Sequence, residues 1–351
     1  MKTIHVNASS EYPVIVGNKL LPLLGEYIKK YCSSEKIAII SDSNVWPLYG
    51  DVVCSSLKKA GYDSIISYVV PAGEPSKSGS TYLAVLEFLA QNQITRSDCV
   101  IALGGGVVGD LTGFVAATYL RGIDFIQIPT TLLAAVDSSV GGKTAIDLVA
   151  GKNLVGSFYQ PRFVLCDTDT LDTLPVDVFR DGCAEVIKYS ILYDAELFEH
   201  LKVSGIAFSR EDVIARCVEL KRNVVAEDEF DRGQRQMLNL GHTIGHGIEA
   251  MSNFMIPHGQ AVATGMAIVS RAAAALNILD CDICNEIIDL LKRFDLPVHT
   301  DYTAQDLYSF TLSDKKRSGA TANLIVPQDI GSCFIRPTSI DELETFIQTG
   351  L

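Results

Sequence analysis

Three of the chain's six histidines, His242, His246 and His258, lie within "NLGHTIGHGIEAMSNFMIPHG", residues 239–259. Neutral imidazole is the commonest side chain to ligate a transition metal. His242 and His246 stand four residues apart on a stretch that reads as helix, so they can share a face. His258 follows Pro257 at the start of the next helical stretch, where the chain can fold back beside the first. Thr243 occupies the glutamate position of the H-E-x-x-H pattern, so this is not that metalloprotease motif. A catalytic zinc commonly takes three protein ligands and keeps a fourth position open. A carboxylate can therefore join two imidazoles in such a site. Glu185, in the apolar helical context "CAEVIKY", is the best candidate, because an inward acid requires a counter-charge or a metal. Its other reading is an ion pair with Lys188 or another base. Spacing alone leaves open which imidazoles join it. Cys281 and Cys284 have C-x-x-C spacing without a second half and are assigned no metal.

A second chemistry-bearing run is "CVIALGGGVVGDLTGFVAAT", with G-x-G-x-x-G at Gly104, Gly106 and Gly109 after a strand and opening a helix. There, glycine lets backbone amides approach a pyrophosphate at the helix N-terminus. The acid that usually follows about twenty residues later is missing, since that position falls in "IPTTL". Asp42, directly after "KIAIIS", is placed on a neighbouring strand where its carboxylate can receive ribose hydroxyls instead. The reading is NAD binding; the alternative is a tight turn that uses glycine for packing. "VDSSVGGKTAID" contains Gly142-Lys143-Thr144, but Asp137 occupies the first glycine of a P-loop, so it is not one. Lys143, Lys152 and Lys188, near the glycine-rich segments, are candidates for a local basic pocket around an anionic small molecule.

These residues must be positioned by two kinds of element. In the first half, β-branched runs ("KIAIIS", "SIISYVV", "CVIAL", "DFIQI", "FVLCD") alternate with amphipathic stretches at 44–60, 78–92 and 107–120, the βαβ rhythm of a parallel sheet flanked by helices. The second half has a helical apolar period, with Ser209 a plausible N-cap and Asp212 three residues on. A hairpin, "TANLIVP" with "SCFIRP", and a helix after Ser339 close the chain. The boundary is set at Leu174-Pro175: residues 1–174 form a Rossmann-like α/β NAD-binding domain, and residues 175–351 a mainly helical metal- and substrate-binding domain.

With 351 residues, 48% of them apolar, the chain can bury a sizeable core. Nine scattered cysteines and no signal peptide point to reduced thiols and the cytoplasm. The best apolar helical run is interrupted by Arg271, so no membrane span is expected. A net charge of −13 argues against general nucleic-acid binding, which needs a basic surface.

In order along the chain stand "GEPSK", "ALGGGVVGDLTGFVAATYLRGI", "IPTTLLAAVDSSVGGKT", "GKN", "AEVIKY", "ELKRNVVAEDE", "RQMLNLGHTIGHGIEA", "HGQAVATGM" and "DKKRSG". Together, over nearly the whole chain, they resemble the dehydroquinate synthase family. The resemblance implies an N-terminal NAD-binding α/β domain, an all-α metal-binding domain and an active site in the cleft between them. It implies zinc, or another divalent metal such as cobalt, on Glu185, His242 and His258, with His246 left to face the substrate. The NAD contacts carried over are Asp42, Gly73, Glu74, Lys77, Gly105, Gly106, Asp110, Thr130, Thr131, Lys143, Lys152 and the turn Thr170, Leu171 and Thr173, with Asp137 near the nicotinamide and metal. Substrate contacts fall on Lys143, Asn153, Lys188, Lys221, Arg235, Asn239, His246, Lys315 and Lys316. Of these, Lys143, Lys188, Lys221, Arg235, Asn239 and His246 join Asp137 as the implied catalytic set. Arg121 resembles an arginine that reaches the phosphate pocket from the other subunit of a homodimer.

The implied substrate is a seven-carbon keto sugar acid phosphate, DAHP, whose carboxylate and phosphate suit several ammonium groups and one guanidinium. The implied reaction is transient oxidation by NAD, phosphate elimination, reduction and aldol closure to 3-dehydroquinate, with no net use of NAD. Rival readings are a sugar phosphate cyclase acting on a substrate without a carboxylate, a metal-dependent polyol dehydrogenase, and an NAD-sensing module without catalysis. The chain departs from the family pattern at Ala145, Asp147 and Leu148, where glycine, asparagine and histidine are common. Asp231 replaces a usual glutamate, and Gln260 stands where glutamate is frequent. None of these removes a ligand, but they bear on loop shape and on a proton relay through Asp231.

Overall fold

The computed structural model describes residues 1–315 and 321–351, the side chains of 310–315 and 341 excepted. The chain divides into two compact units, residues 1–174 with 210–230 and residues 175–209 with 231–351.

The first unit follows β1 (Lys2–Val6), β2 (Tyr12–Gly17), α1 (Leu24–Tyr31), β3 (Lys36–Asp42), α2 (Trp46–Lys59), β4 (Ser64–Val70), α3 (Gly79–Gln91), β5 (Cys99–Gly104), α4 (Gly106–Thr118), β6 (Asp124–Pro129), β7 (Lys143–Leu148), β8 (Gly151–Phe158) and β9 (Val164–Asp167). Seven strands form one sheet in the order β1-β2-β9-β6-β5-β3-β4. All pairs are parallel except β1 with β2. The strands read as unbroken apolar runs because both faces are covered. Successive side chains point to opposite faces, and the core divides accordingly. Ile37 and Ile39 of β3 pack with Leu24, Ile28, Val53 and Leu57, while Ala38 and Ile40 pack with Val85, Leu89, Leu111 and Val115.

Sheet order also locates a crevice. From β3 the chain crosses outward to β4, then returns to β5 on the other side of β3, so the winding reverses between β3 and β5. In such sheets the carboxyl ends of those strands splay apart around a ligand pocket. Asp42 ends β3 and Gly104 ends β5.

The segment around Asp137 and Lys143, which is not a P-loop, has regular structure of its own. Ala134–Ser138 is a π-helical turn, and β7 pairs antiparallel with β8 as a separate hairpin. Alternation in "TAIDL" and "NLVGSF" is the local signal for this hairpin.

From Pro175 the chain is mostly helical: α5 (Val176–Tyr193), α6 (Ala195–Ser204), α7 (Arg210–Glu227), α8 (His242–Met251), α9 (His258–Ala275), α10 (Cys281–Arg293), α11 (Ala304–Lys315), the hairpin β10 (Thr321–Asp329) and β11 (Ser332–Ser339), and α12 (Ile340–Gly350). One helix departs from the sequence-based division at residue 174. α7 belongs to the first unit, in which it packs against β1, β2 and the π-turn. Its buried residues Val213, Ile214, Cys217 and Val218 account for this, since a helical stripe needs an apolar surface but does not encode which one. Among the described residues no helix is long and apolar enough to cross a membrane.

Candidate active site

The second unit brings Glu185, His242 and His258 together. α5 carries Glu185, fully buried at 0% exposure. His242 opens α8 and His258 opens α9. These two helices approach closely because the facing positions are small: a Cβ at Gly265 would lie 2.0 Å from the Gly241 carbonyl oxygen. As a result Nε2 of His242 stands 3.6 Å, and Nε2 of His258 3.5 Å, from one atom, Glu185 Oε1. Donors about 2.0–2.1 Å from a tetrahedral zinc lie roughly 3.3 Å apart. Two nitrogens and an oxygen at these separations fit a divalent metal, and one ligand atom from each residue lies within 4.8 Å of the others. Glu185 is also ion-paired with buried Lys188, one turn along α5, which is the other partner considered for this acid.

The electrostatics of the two imidazoles differ. Burial pushes His242 down to about 3, helped by the Lys188 ammonium, so the ring is neutral. Burial also acts against a charged His258, but hydrogen bonds to Glu185 and Glu249 outweigh it and hold this ring up at about 10. The carboxylates around His258 thus favour positive charge at that point. His246 is exposed, its ring centroid 5.5 Å from that of His242 and 6.2 Å from that of His258. It shares a helix face with His242 and lies outside the group of Glu185, His242 and His258, its ligand atoms falling instead in a second group with Glu249 and His258.

α9 is locked to α5 by a contact the sequence did not reveal. Asp181 Oδ1, one turn before Glu185, accepts the Gln260 amide at 3.0 Å and so caps α9 from another helix. Gly259 permits the approach, since a Cβ there would lie 1.9 Å from the Asp181 carbonyl oxygen. The same face of α5 therefore supplies Glu185 and fixes the helix that bears His258. Arg235 and Lys188 are both buried at 1% exposure, and Asn239 closes the 3-10 turn Gln234–Asn239 just before α8. Cations buried so deeply are rare without anionic partners. The Lys315 side chain and Lys316 lie outside the described residues.

In the first unit the residues expected around NAD gather at the carboxyl edge of the sheet. Asp42 Oδ1 accepts the Asn44 and Val45 amides at 2.8 and 3.0 Å in the turn into α2. Gly105 precedes α4, and Gly106 is its first residue. Gly109 serves packing, because a Cβ there would meet Gln127 Oε1 at 2.7 Å. Gly73 (φ 106°) and Glu74 form the turn after β4, with Lys152 Nζ 3.5 Å from the Glu74 carboxylate. Buried Lys77 donates to Asp110 at 2.6 Å and to the Asn153 side chain, so Asn153, expected on the substrate, here joins the Lys77 cluster. Thr130 Oγ1 is buried with no hydrogen-bond partner among the described residues. Thr131 Oγ1 accepts the Ala134 amide at 3.2 Å. Tyr49 ties down Thr170 and Thr173, on either side of buried Leu171, with bonds of 3.0 Å to the Thr170 carbonyl and 2.5 Å to Thr173 Oγ1.

Asp137, in the π-turn, is paired with Lys221 of α7, whose Nζ also donates to the Asp137 carbonyl at 2.8 Å. Single π-turns often mark functional sites. Lys143 is exposed at the start of β7. Arg121 is exposed on a turn where both Leu120 and Arg121 have positive φ, 50° and 69°. Asp147, a departure from the family pattern, accepts the Asn153 amide at 2.8 Å and thereby shapes the β7–β8 turn.

Residues 67–181 match the family model of the 3-dehydroquinate synthase N-terminal domain, and residues 182–317 that of its C-terminal domain. The 3-dehydroquinate synthase of Streptococcus suis (strain 05ZYH33) is 43% identical over 347 residues, 97% of this chain and 98% of that protein. A 2-deoxy-scyllo-inosose synthase solved with carbaglucose-6-phosphate, NAD+ and Co2+ is 26% identical, with a TM-score of 0.88 and all of both chains covered. The 2-epi-5-epi-valiolone synthase of Streptomyces hygroscopicus subsp. jinggangensis 5008, solved with NAD+ and Zn2+, is 25% identical at a TM-score of 0.88, covering 100% of this chain and 99% of the other. Two consecutive domain models and an end-to-end relative of this identity show that the chain belongs to the 3-dehydroquinate synthase family.

Proposed function

We propose that this protein is a 3-dehydroquinate synthase, a phosphate-eliminating carbon–oxygen lyase that converts DAHP to 3-dehydroquinate and inorganic phosphate. The observation that carries the reading is the convergence of both imidazole Nε2 atoms on Glu185 Oε1, in a chain 43% identical over its length to a protein of that name. Glu185, His242 and His258 hold the divalent cation, and the carboxyl edge at Asp42, Gly105 and Gly106 holds NAD. Bound together, the two supply a Lewis acid and a reversible hydride acceptor, so oxidation and later reduction cancel.

The chain's own side chains do the rest. Lys188 and Arg235 offer buried positive charge to an anionic substrate, and burial strengthens each contact by excluding water. Asn239 and His246 offer hydrogen-bonding groups beside the ligand triad, where they orient the sugar and steady the charge that develops on the departing phosphate. In the first unit, Lys143 and Lys221 are the ammonium groups that the family resemblance assigns to the substrate, and Lys221 is paired there with Asp137. Elimination passes a proton from the carbon beside the ketone to the leaving phosphate, and aldol closure then joins two ends of one bound molecule, which positioning favours. The enzyme acts in the cytoplasm as a homodimer, with Arg121 of one subunit reaching the phosphate of the other.

The decisive assay mixes the protein with DAHP, catalytic NAD and zinc, and follows phosphate and the absorbance of NADH. One phosphate per DAHP with no lasting NADH is expected, and both a chelator and His258→Ala abolish release. Accumulating NADH would instead indicate a polyol dehydrogenase. Turnover only of a sugar phosphate lacking the carboxylate would indicate one of the cyclases that the chain resembles at 25–26% identity.

A further inference from the structure

We propose that Glu249 is a positioning residue of the metal centre: its carboxylate accepts the Nδ1–H of His258 and so turns the Nε2 lone pair of that ring toward Glu185. The inference rests on reading Glu185, His242 and His258 as metal ligands.

A neutral imidazole has one N–H and one lone pair, on opposite sides of the ring, and the partner of the first decides where the second points. In His242, Nδ1 lies 3.1 Å from the Leu240 carbonyl oxygen while Nε2 faces Glu185. In His258, Nδ1 lies 3.3 Å from Glu249 Oε2 while Nε2 faces the same Glu185 oxygen. Each ring can therefore donate outward through Nδ1 and turn Nε2 to the cation, which in His258 takes the place of the Nε2 proton, the arrangement by which outer partners fix tautomer and raise ligand basicity. The two outer acceptors differ in kind. His242 is held by a neutral carbonyl two residues away along its own chain. The acceptor for His258 is an acid only 3% exposed, a burial that an unengaged surface glutamate would not have.

Helix geometry explains how this acid arrives. Glu249 follows His242 by seven residues, about two turns of α8, and so returns to the same face. One rigid helix thus presents a metal ligand at its start and the orienting partner of the second ligand near its end. His246, Glu249 and His258 also offer ligand atoms within 4.8 Å of one another. A second cation there would need His258 to bind through both nitrogens, and hence to lose its last ring proton. A single N–H donated to Glu249 needs no such loss.

The test uses the full-length protein, stripped by a chelator and reloaded with Co2+. Affinity is read by chelator competition, stoichiometry by titration, and ligand geometry by the visible cobalt spectrum. Wild type is expected to bind one tight cobalt per chain. Glu249→Gln, which keeps shape and an acceptor oxygen, should weaken binding about 10-fold, and Glu249→Ala about 100-fold. Both should alter the cobalt spectrum, while the metal-free variants keep the wild-type circular dichroism. Unchanged affinity and spectrum in both variants would overturn the role of Glu249. So would two tight cobalt ions in wild type with the second lost in the variants, which would assign Glu249 to a cation of its own. No tight cobalt in wild type would remove the ligand reading first, and this inference with it.

Discussion

At the scale of single residues, the site depends on charged groups that burial makes consequential. Asp147 is an example outside the metal centre. Burial holds its carboxyl above the usual carboxylate range, and nearby Glu74 adds to this, against the Asn153 amide and Lys77, which pull it down. A folded-state value above the unfolded one means that the folded chain retains this proton longer. Stability is therefore greatest below the ordinary aspartate pKa and declines as pH rises through the raised value. Asp147→Asn cannot lose that proton and keeps an oxygen for the Asn153 amide. Thermal unfolding of the variant and of wild type should match below the ordinary aspartate pKa, and the variant should unfold at higher temperature near pH 7. A midpoint difference independent of pH would show that the carboxyl is not the cause.

At the scale of elements, the two proposed histidine ligands are only as well placed as the helix starts that carry them. α9 begins at His258 and is capped by Asp181 from α5, across a gap that admits no side chain at position 259. Gly259→Ala must push α9 off α5, because the obstructing atom is a backbone oxygen that cannot rotate away. Overpacking of this kind costs about 1–3 kcal/mol. The substitution should lower the unfolding free energy by that amount and also weaken zinc binding, since His258 moves with the helix. Denaturant titration and chelator competition on the same variant check both, and lost stability with unchanged zinc affinity would separate the cap from the site.

At the scale of the whole molecule, assembly is the open quantity. Arg121 is exposed on a turn of two consecutive positive-φ residues that is held from outside by Arg96, whose Nε donates to the Leu120 carbonyl at 3.1 Å. If Arg121 serves a neighbouring subunit's phosphate pocket, light scattering should give twice the chain mass of 38.1 kDa. Arg121→Ala should then raise the KM for DAHP while leaving that mass unchanged. A monomeric wild type with full activity would exclude the shared pocket.

Much of this was legible in residue order. β-branched runs alternating with amphipathic stretches dictate a parallel sheet covered on both faces, since only such a sheet buries strands like "KIAIIS" completely. The motifs carried the family, and Glu185 stood out as an acid in an apolar helix. Folding decided the rest. Spacing of four put His242 and His246 on one face, yet the two rings that face Glu185 Oε1 come from two helix starts brought together at small residues, a contact between residues sixteen apart that local periodicity does not encode. Asp181 and Glu249 escaped notice for the same reason: each is an ordinary helical acid in sequence and acquires its role only from the neighbour packed against it. The allegiance of α7 was likewise hidden, because an apolar stripe demands a partner surface without naming it.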